Sequence, residues 1–541
     1  MAASLTQQTK ECIFKTCLFC NLFHKTIATR SMNIKRSHIS ATVQKEVQPE
    51  WQGVIGLEIH AQIKTLSKLF SGAATIYDAN TNTQVAFFDA ALPGTLPVLN
   101  QKCVQAGVMT ALALGCDINL VSKFDRKHYF YADMPAGYQI TQYRKPLAVN
   151  GRMTYMFQCS HNNKIERRSA QILQIQLEQD SGKSLHDPAV GYSLIDLNRA
   201  GIGLMEIVTA PDFTSGDDAA SFVKDLRDIL IDIGACDGKM AEGSLRVDAN
   251  ISVHRPGEPL GIRSEVKNIN SFRNIRLAVD YEIRRQIQLL ESGEQVVNET
   301  RSFDIQDGET VTMREKEKVL DYRFLPEPNL PPLVIHKDRS SVKSSQNVVV
   351  LEEVKSVLKE LPDEKRKRLE TKYNISLKNS VILVRANLAE LFEKLVEHHS
   401  CDPAAASSVL RNSYAPFLDK AKLNSTDRPI SDDGLAEIIN IYGRGEISET
   451  SLGILLREKS ENIHLSCKEI MDKNNLCILN DELLINAAID DVCERNPKAV
   501  KAYKKGKTNQ LEILSTKVKK KLDGKVASGK LYQLVKEKLQ K

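Results

Sequence analysis

Nowhere in its 541 residues does the chain hold an apolar run near the roughly 20 residues a membrane-spanning helix needs, so no membrane is expected among its partners. A disulfide framework is also missing. The 11 cysteines are odd in number and irregularly spaced, which argues against an extracellular scaffold and for a reducing compartment. Cys17-Leu-Phe-Cys20 is the only CxxC, and without a second ligand pair it makes a poor zinc site. The glycines of Asp196-Leu-Asn198-Arg199-Ala-Gly201-Ile-Gly203 build neither a Walker loop nor a complete G-x-G-x-x-G, so a nucleotide would be held without either common phosphate cradle. Acids are nearly absent from the first 45 residues, where Glu11 stands alone against Lys10, Lys15, Lys25, Arg30, Lys35, Arg36 and Lys45. With many Ser and Thr, residues 1–48 read as an organelle transit peptide, the bland alternative being a disordered tail.

What is present is a globular composition, 42% hydrophobic and 26% charged, in a length that suggests roughly three domains. The net charge of +6 is unevenly placed: Lys498 to Lys541 holds 14 lysines against Glu512, Asp523 and Glu537. Such a stretch suits nucleic-acid phosphates, or is a solvated helix face.

Between Val54 and Ile63 apolar and polar residues alternate as in a strand, with Leu57, Ile59, Ala61 and Ile63 on one face and Glu58, His60 and Gln62 on the other. A carboxylate and an imidazole two residues apart suit a shared cation or a phosphate-bearing ligand; a merely solvated strand would look the same. The pattern recurs. Residues 172–180 alternate Leu173, Ile175 and Leu177 with Gln174, Gln176, Glu178 and Asp180. Residues 244–253 put Ser244, Arg246, Asp248, Asn250 and Ser252 on one face, and residues 262–267 do the same with Arg263, Glu265 and Lys267. If Val253 pairs with Ile262, Asn250 lies opposite Glu265 and Asp248 opposite Lys267, on one shared polar face.

Helices are expected over 101–114 and from a Ser215 cap to about Ile233. Lys123 to Gln139 mixes aromatics and cations, which fits either base stacking or a buried aromatic cluster. After the proline-rich stretch Tyr322 to Pro332, helical stripes appear: Leu383, Leu388, Leu391, Phe392, Leu395 and Val396, then Leu511, Leu514, Val518 and Leu522.

The stretches Val54–Ile63, Leu92–Asn100, Lys123–Pro135, Leu177–Asp187, Asp196–Gly201, Glu242–Val253 and Ser264–Phe272, in this order, resemble the B subunits of glutamyl-tRNA(Gln) amidotransferases, from about residue 52 to the C-terminus. With the basic leader, the likeness is to the mitochondrial forms. The resemblance implies an α+β chain: an antiparallel-sheet, cradle-like catalytic domain over 49–337, an all-α helical domain over 338–465 and a basic helical tRNA-binding tail over 466–541. It implies phosphorylation, with ATP and Mg2+, of the glutamate on mischarged Glu-tRNA(Gln), and displacement of the phosphate by ammonia from a partner amidase (A) subunit. A small C subunit and the mitochondrial matrix belong to the same expectation. Glu58, His60, Asp248 and Glu265 are carried over as metal-site and catalytic residues. Arg246 and Lys267, on the same strand faces, are expected at phosphate; Asn198, Arg199 and Asn250 are assigned to the nucleotide.

Three positions depart from the family pattern. Glu178-Gln179 stands where bacterial relatives have two acids, leaving Glu178 as a metal ligand with Asp180 as a further candidate. Ser71, Ala73, Ala86 and Asp89 occupy the positions of a zinc knuckle that some relatives carry, so no zinc is expected. Ala136 replaces a lysine near the ammonia path, leaving Lys127 as the channel candidate. The alternative reading is a non-catalytic tRNA-binding scaffold, its chemistry disabled by the Gln179 and Ala136 changes. A metal-dependent nuclease or hydrolase is weaker, since Glu58 and His60 form the one evident acid–histidine set.

Overall fold

The computed structural model describes residues 50–541, apart from 161, 163, 188–190, 316–321, 343–347, 480 and 541. The expected transit peptide and the Cys17–Cys20 pair lie outside the described residues.

The strand read first in the sequence, β1 (Gln52–Gln62), runs through the interior of a sheet, and its alternation is the reason. Ile55, Leu57, Ile59 and Ala61 are at most 1% exposed, whereas Glu58, His60 and Gln62 are only partly covered. Each fully buried Leu or Ile contributes about 1.5–3 kcal/mol, so a register slip of one residue is strongly disfavoured. The sheet has nine strands among the described residues. With β2 (Asp117–Ile118), β5 (Ala148–Gln158), β6 (Ile165–Gln179), β9 (Gly203–Thr209), β10 (Leu245–His254), β11 (Ser264–Ile269), β12 (Glu299–Asp304) and β13 (Glu309–Glu315), its order is β13-β12-β11-β10-β1-β9-β6-β5-β2. A second sheet joins β3 (Val121–His128) and β4 (Tyr138–Lys145) to the short β14 (Leu325–Pro326), β15 (Leu333–His336) and β16 (Val349–Val350). A hairpin, β7 (Lys183–Asp187) with β8 (Tyr192–Asp196), stands apart.

Helices close the apolar side. α1 (Gln101–Ala113) begins at an Asn100 cap, and α2 (Gly216–Asp232) at Ser215, whose hydroxyl accepts from the Asp218 N–H as the sequence predicts. α3 (Phe272–Glu291) lies against α2 and β10. It also links β11 to β12, which run parallel. The sheet is therefore antiparallel, as expected, except at this one pair; a crossover helix is what permits a parallel neighbour.

Past the sheets the chain is helical, in the α+β arrangement read from the sequence. α4 (Leu351–Ser356), α5 (Pro362–Tyr373), α6 (Leu377–Arg385) and α7 (Ala389–Glu397) are followed by further helices. A second core gathers Leu383, Leu388, Leu391, Phe392 and Leu395, drawn from α6, α7 and the short link between them, and extends to Leu476. A third core, with Leu511, Leu514 and Val518, begins only at Ile485. The helix Cys467–Lys473 thus packs into the second core, although it falls after the boundary expected at residue 465. Among the described residues no helix is long and apolar enough to cross a membrane.

Candidate active site

The polar faces of β6, β9, β1, β10 and β11 lie side by side. Pairing sets Gln176 opposite Glu206, Glu206 opposite His60 and His60 opposite Arg246; one step along, Glu58 faces Asp248, and Asn250 faces Glu265. Residues far apart in the chain so form one polar surface, and the Nδ2 of Asn250 donates to Glu58 Oε1 across 2.9 Å.

Near Asp248 the expected register fails. Ala249 pairs with Val266 but Val247 pairs with Ile269, leaving one extra residue on β11. This bulge holds Asn268 at φ +57°, a left-handed conformation that Asn tolerates better than most side chains. Instead of standing opposite Lys267 alone, Asp248 receives both bulge residues: its Oδ1 accepts from the Asn268 N–H at 2.8 Å and its Oδ2 from Lys267 Nζ at 3.1 Å. Lys267 Nζ is also 2.9 Å from Glu265 Oε1. Burial opposes the charge on Lys267, but Asp248 and Glu265 outweigh it and hold the ammonium above the ordinary lysine range.

Among the described residues, two groups bring ligand atoms close enough for one cation: Glu58, Asp248 and Glu265, and His60, Glu178 and Glu206. The five residues carried over as metal ligands are therefore shared between two clusters, with Glu206 added. Glu206 was missed in the sequence. Its signal was a single acid in the otherwise apolar strand Gly203–Thr209, aligned with Leu204 and Val208. His60 Nε2 lies 3.4 Å from Glu178 Oε1, and Gln176 Nε2 donates to Glu206 Oε2 at 2.6 Å. Burial pushes both carboxyls up, Glu206 to about 8; the charge of Glu178 raises Glu206 further, whereas the hydrogen bond from Glu206 works against the rise at Glu178. Lys127 acts on both as a nearby positive charge, and its Nζ lies over the Tyr322 ring, 4.9 Å from the centroid.

Gln179 does not take the place of a second acid. Its side chain is buried, with Nε2 towards Met134 Sδ and an Oε1 that has no hydrogen-bond partner among the described residues. Asp180 turns instead to Arg246, whose Nη2 lies 2.9 Å from its Oδ2; Arg199 Nε is 3.5 Å from the same oxygen. Arg246 and Lys267 are thus each neutralised by acids in this state. Of the residues assigned to a nucleotide, Asn250 lines a cavity of about 310 Å3 with Glu58 and Arg263. Asn198 is engaged elsewhere: its Oδ1 accepts from the Gln84 N–H, and its Nδ2 donates to the carbonyls of Ala79 and Asn80. Its amide ties down a loop because both ends find backbone partners there.

At the knuckle positions, Asp89 Oδ2 accepts from Lys68 Nζ, Ser71 Oγ and the Ala86 N–H, at 2.9–3.1 Å. Lys68 is fully buried, so its ammonium supplies the positive charge that this acid needs.

A sheet face with two carboxylate-rich groups, each flanked by a cation, is suited to a charged ligand and a hard metal ion. Comparison with known families places the chain. Residues 53–341 match the GatB/GatE catalytic domain, and residues 390–539 the GatB domain. The chain belongs to the GatB family of amidotransferase subunits. It is similar to the B subunit of the mitochondrial glutamyl-tRNA(Gln) amidotransferase of Danio rerio, 45% identical over 92% of this chain and 91% of that protein. The counterpart from Homo sapiens is 43% identical over 92% of this chain and 90% of its own length. The B subunit of the aspartyl/glutamyl-tRNA(Asn/Gln) amidotransferase of Rickettsia rickettsii (strain Sheila Smith) is 44% identical over 91% of this chain and 98% of that protein. The GatB catalytic match spans both cation-competent groups, and the GatB domain match includes the lysine-rich third core.

Proposed function

We propose that this chain is the subunit of a mitochondrial matrix amidotransferase that phosphorylates the glutamate side chain of mischarged Glu-tRNA(Gln) with ATP and exchanges the phosphate for ammonia, giving Gln-tRNA(Gln). Ammonia comes from glutamine hydrolysed by a partner amidase (A) subunit, with a small C subunit completing the complex. The observation that carries this reading is the pair of acidic groups on one polar sheet face, with Arg246 and Lys267 beside them.

The donor set fits magnesium at one group. Glu58, Asp248 and Glu265 offer oxygens only, which Mg2+ prefers, whereas His60, Glu178 and Glu206 mix an imidazole with a carboxyl that keeps its proton near neutral pH. Mg2+ held by the first group would neutralise charge on the transferring phosphoryl. Lys267, now between Asp248 and Glu265, turns to the phosphate when those acids are otherwise engaged, and Arg246 contributes a second cation. Asn250 orients Glu58, and Lys127, the candidate for the ammonia path, stands beside the Glu178–Glu206 pair.

The test is Asp248→Ala and Glu265→Ala in the assembled complex. Both abolish tRNA-dependent ATP cleavage while tRNA binding stays near wild type. A variant complex that still forms Gln-tRNA(Gln) at the wild-type rate rejects the site and leaves the tRNA-binding scaffold.

A further inference from the structure

A second cavity, of about 690 Å3, opens where α2 of the sheet domain meets α5 and α6 of the helical bundle. Its wall includes Arg366, from α5, which is 1% exposed. The Nη1 of Arg366 donates to Asp225 Oδ2 at 3.1 Å, and Arg385, from α6, donates through Nη2 to Asp225 Oδ1 at 2.8 Å. One carboxylate therefore serves two guanidinium groups. Among the described residues, Arg366 Nε and Nη2, and Arg385 Nε, are buried without any hydrogen-bond partner.

This is an unusual excess of donors. Buried polar groups are nearly always satisfied, and a buried charge left uncompensated is more costly still. Three further acids of the cavity are engaged elsewhere or more distant. Asp232 pairs with Lys365 and Glu360 with Arg368, while Asp228 reaches Arg385 Nε only at 3.9 Å. Burial, followed by Arg385, pushes the neighbouring Lys224 below the ordinary lysine range, as expected beside an excess of positive charge. The charge of the two guanidinium groups is met by Asp225 in close contact and by Asp228 only at the longer distance.

The unpaired edge of Arg366 is informative. Nε and Nη2 form the fork that grips two oxygens of a single carboxyl or phosphoryl group. Arg385 Nε adds a third donor from a different helix, which a planar carboxylate does not meet as well as a tetrahedral group. We infer that the cavity between α2, α5 and α6 is a phosphate-binding site, taking inorganic phosphate or the terminal phosphate of a nucleotide on Arg366 and Arg385, separate from the polar sheet face. A phosphate seated there would brace the helical bundle against the sheet domain through two arginines already anchored on Asp225.

The test uses the full chain in EDTA, so that divalent-dependent binding at the sheet is silent. Calorimetric titration at fixed ionic strength compares phosphate, ADP and acetate, for wild type, Arg366→Lys, Arg385→Gln and Asp248→Ala. Arg366→Lys keeps the charge on Asp225 but loses the fork, and Arg385→Gln keeps Arg366, so the two variants do not share one route to misfolding; circular dichroism checks each. Wild type and Asp248→Ala should bind one phosphate per chain, and the two arginine variants should bind at least about tenfold more weakly, the worth of a charge-assisted hydrogen bond. Tighter binding of ADP than of phosphate assigns the nucleotide source, and equal or weaker binding assigns the inorganic one; both support the site. No binding by wild type, undiminished binding by both folded arginine variants, or acetate binding as tight as phosphate overturns it.

Discussion

Lys267 holds its ammonium between two carboxylates of the same candidate metal group, 3.1 Å from Asp248 and 2.9 Å from Glu265. A lysine so placed competes with any divalent ion for those oxygens. Replacing it with Met should tighten Mn2+ or Mg2+ binding to the nucleotide-free chain, measured by calorimetry. The same change should lower tRNA-dependent ATP cleavage by roughly 100-fold, the scale of losing one preorganised charge contact. Weaker divalent binding in Lys267→Met means that the ammonium does not occupy the cation's place.

The bulge that brings Lys267 and Asn268 together on Asp248 depends on a left-handed residue. Asn268→Gly should keep the bulge and nearly all the activity. Asn268→Val, whose branched side chain resists positive φ, should cost about 1–3 kcal/mol in urea unfolding and reduce activity with it. If the Val variant is as stable as the Gly variant, the bulge is not held by this backbone conformation.

Glu206 gives a pH signature. Its folded carboxyl, pushed by burial and by Glu178 to about 8 from an ordinary value of 4.5, binds a proton that the unfolded chain releases. Between those values the folded state carries more protons, so stability falls as pH rises, by up to about 1.4 kcal/mol per unit. Its stabilising proton is fully present below about 4.5 and gone above about 8. Metal-free wild type should lose denaturation midpoint across this window, and Glu206→Gln should flatten the loss. Parallel pH curves for the two proteins would show that Glu206 is not the group that titrates.

Where the chain is cut matters to the tail. The helix Cys467–Lys473 and Leu476 belong to the second core, so truncation at residue 467 should unfold part of the bundle. Truncation after Ile478 spares that core and removes the third, lysine-rich one. The shorter deletion should raise the KM for aminoacyl-tRNA several-fold with little change for ATP. Equal effects on both would remove the tail from tRNA binding.

Much of this is legible in the residues alone. The alternation from Val54 to Ile63 settles which residues of β1 face the core, and the Asn250–Glu265 pairing follows from parity across the turn. Glu206 is hidden because one acid in a short strand carries no period of its own. The bulge is hidden too, since Asn268 is an ordinary residue until its φ is known. Asn198 looks like a ligand contact because the sequence does not show that the loop 79–84 consumes its amide.

By itself, then, the sequence determined the period of each strand and helix, the apolar and polar faces, and the family to which those patterns belong. These are local properties, written within about ten residues and enforced by burial. Tertiary structure alone decided who stands beside whom: that β9 and β10 flank β1, that five expected ligands divide between two groups with Glu206 as a sixth, and that Lys267 already occupies one of them. Asn250 and Glu58 are 192 residues apart and meet only because pairing across the sheet joins them, and no local period encodes that neighbour.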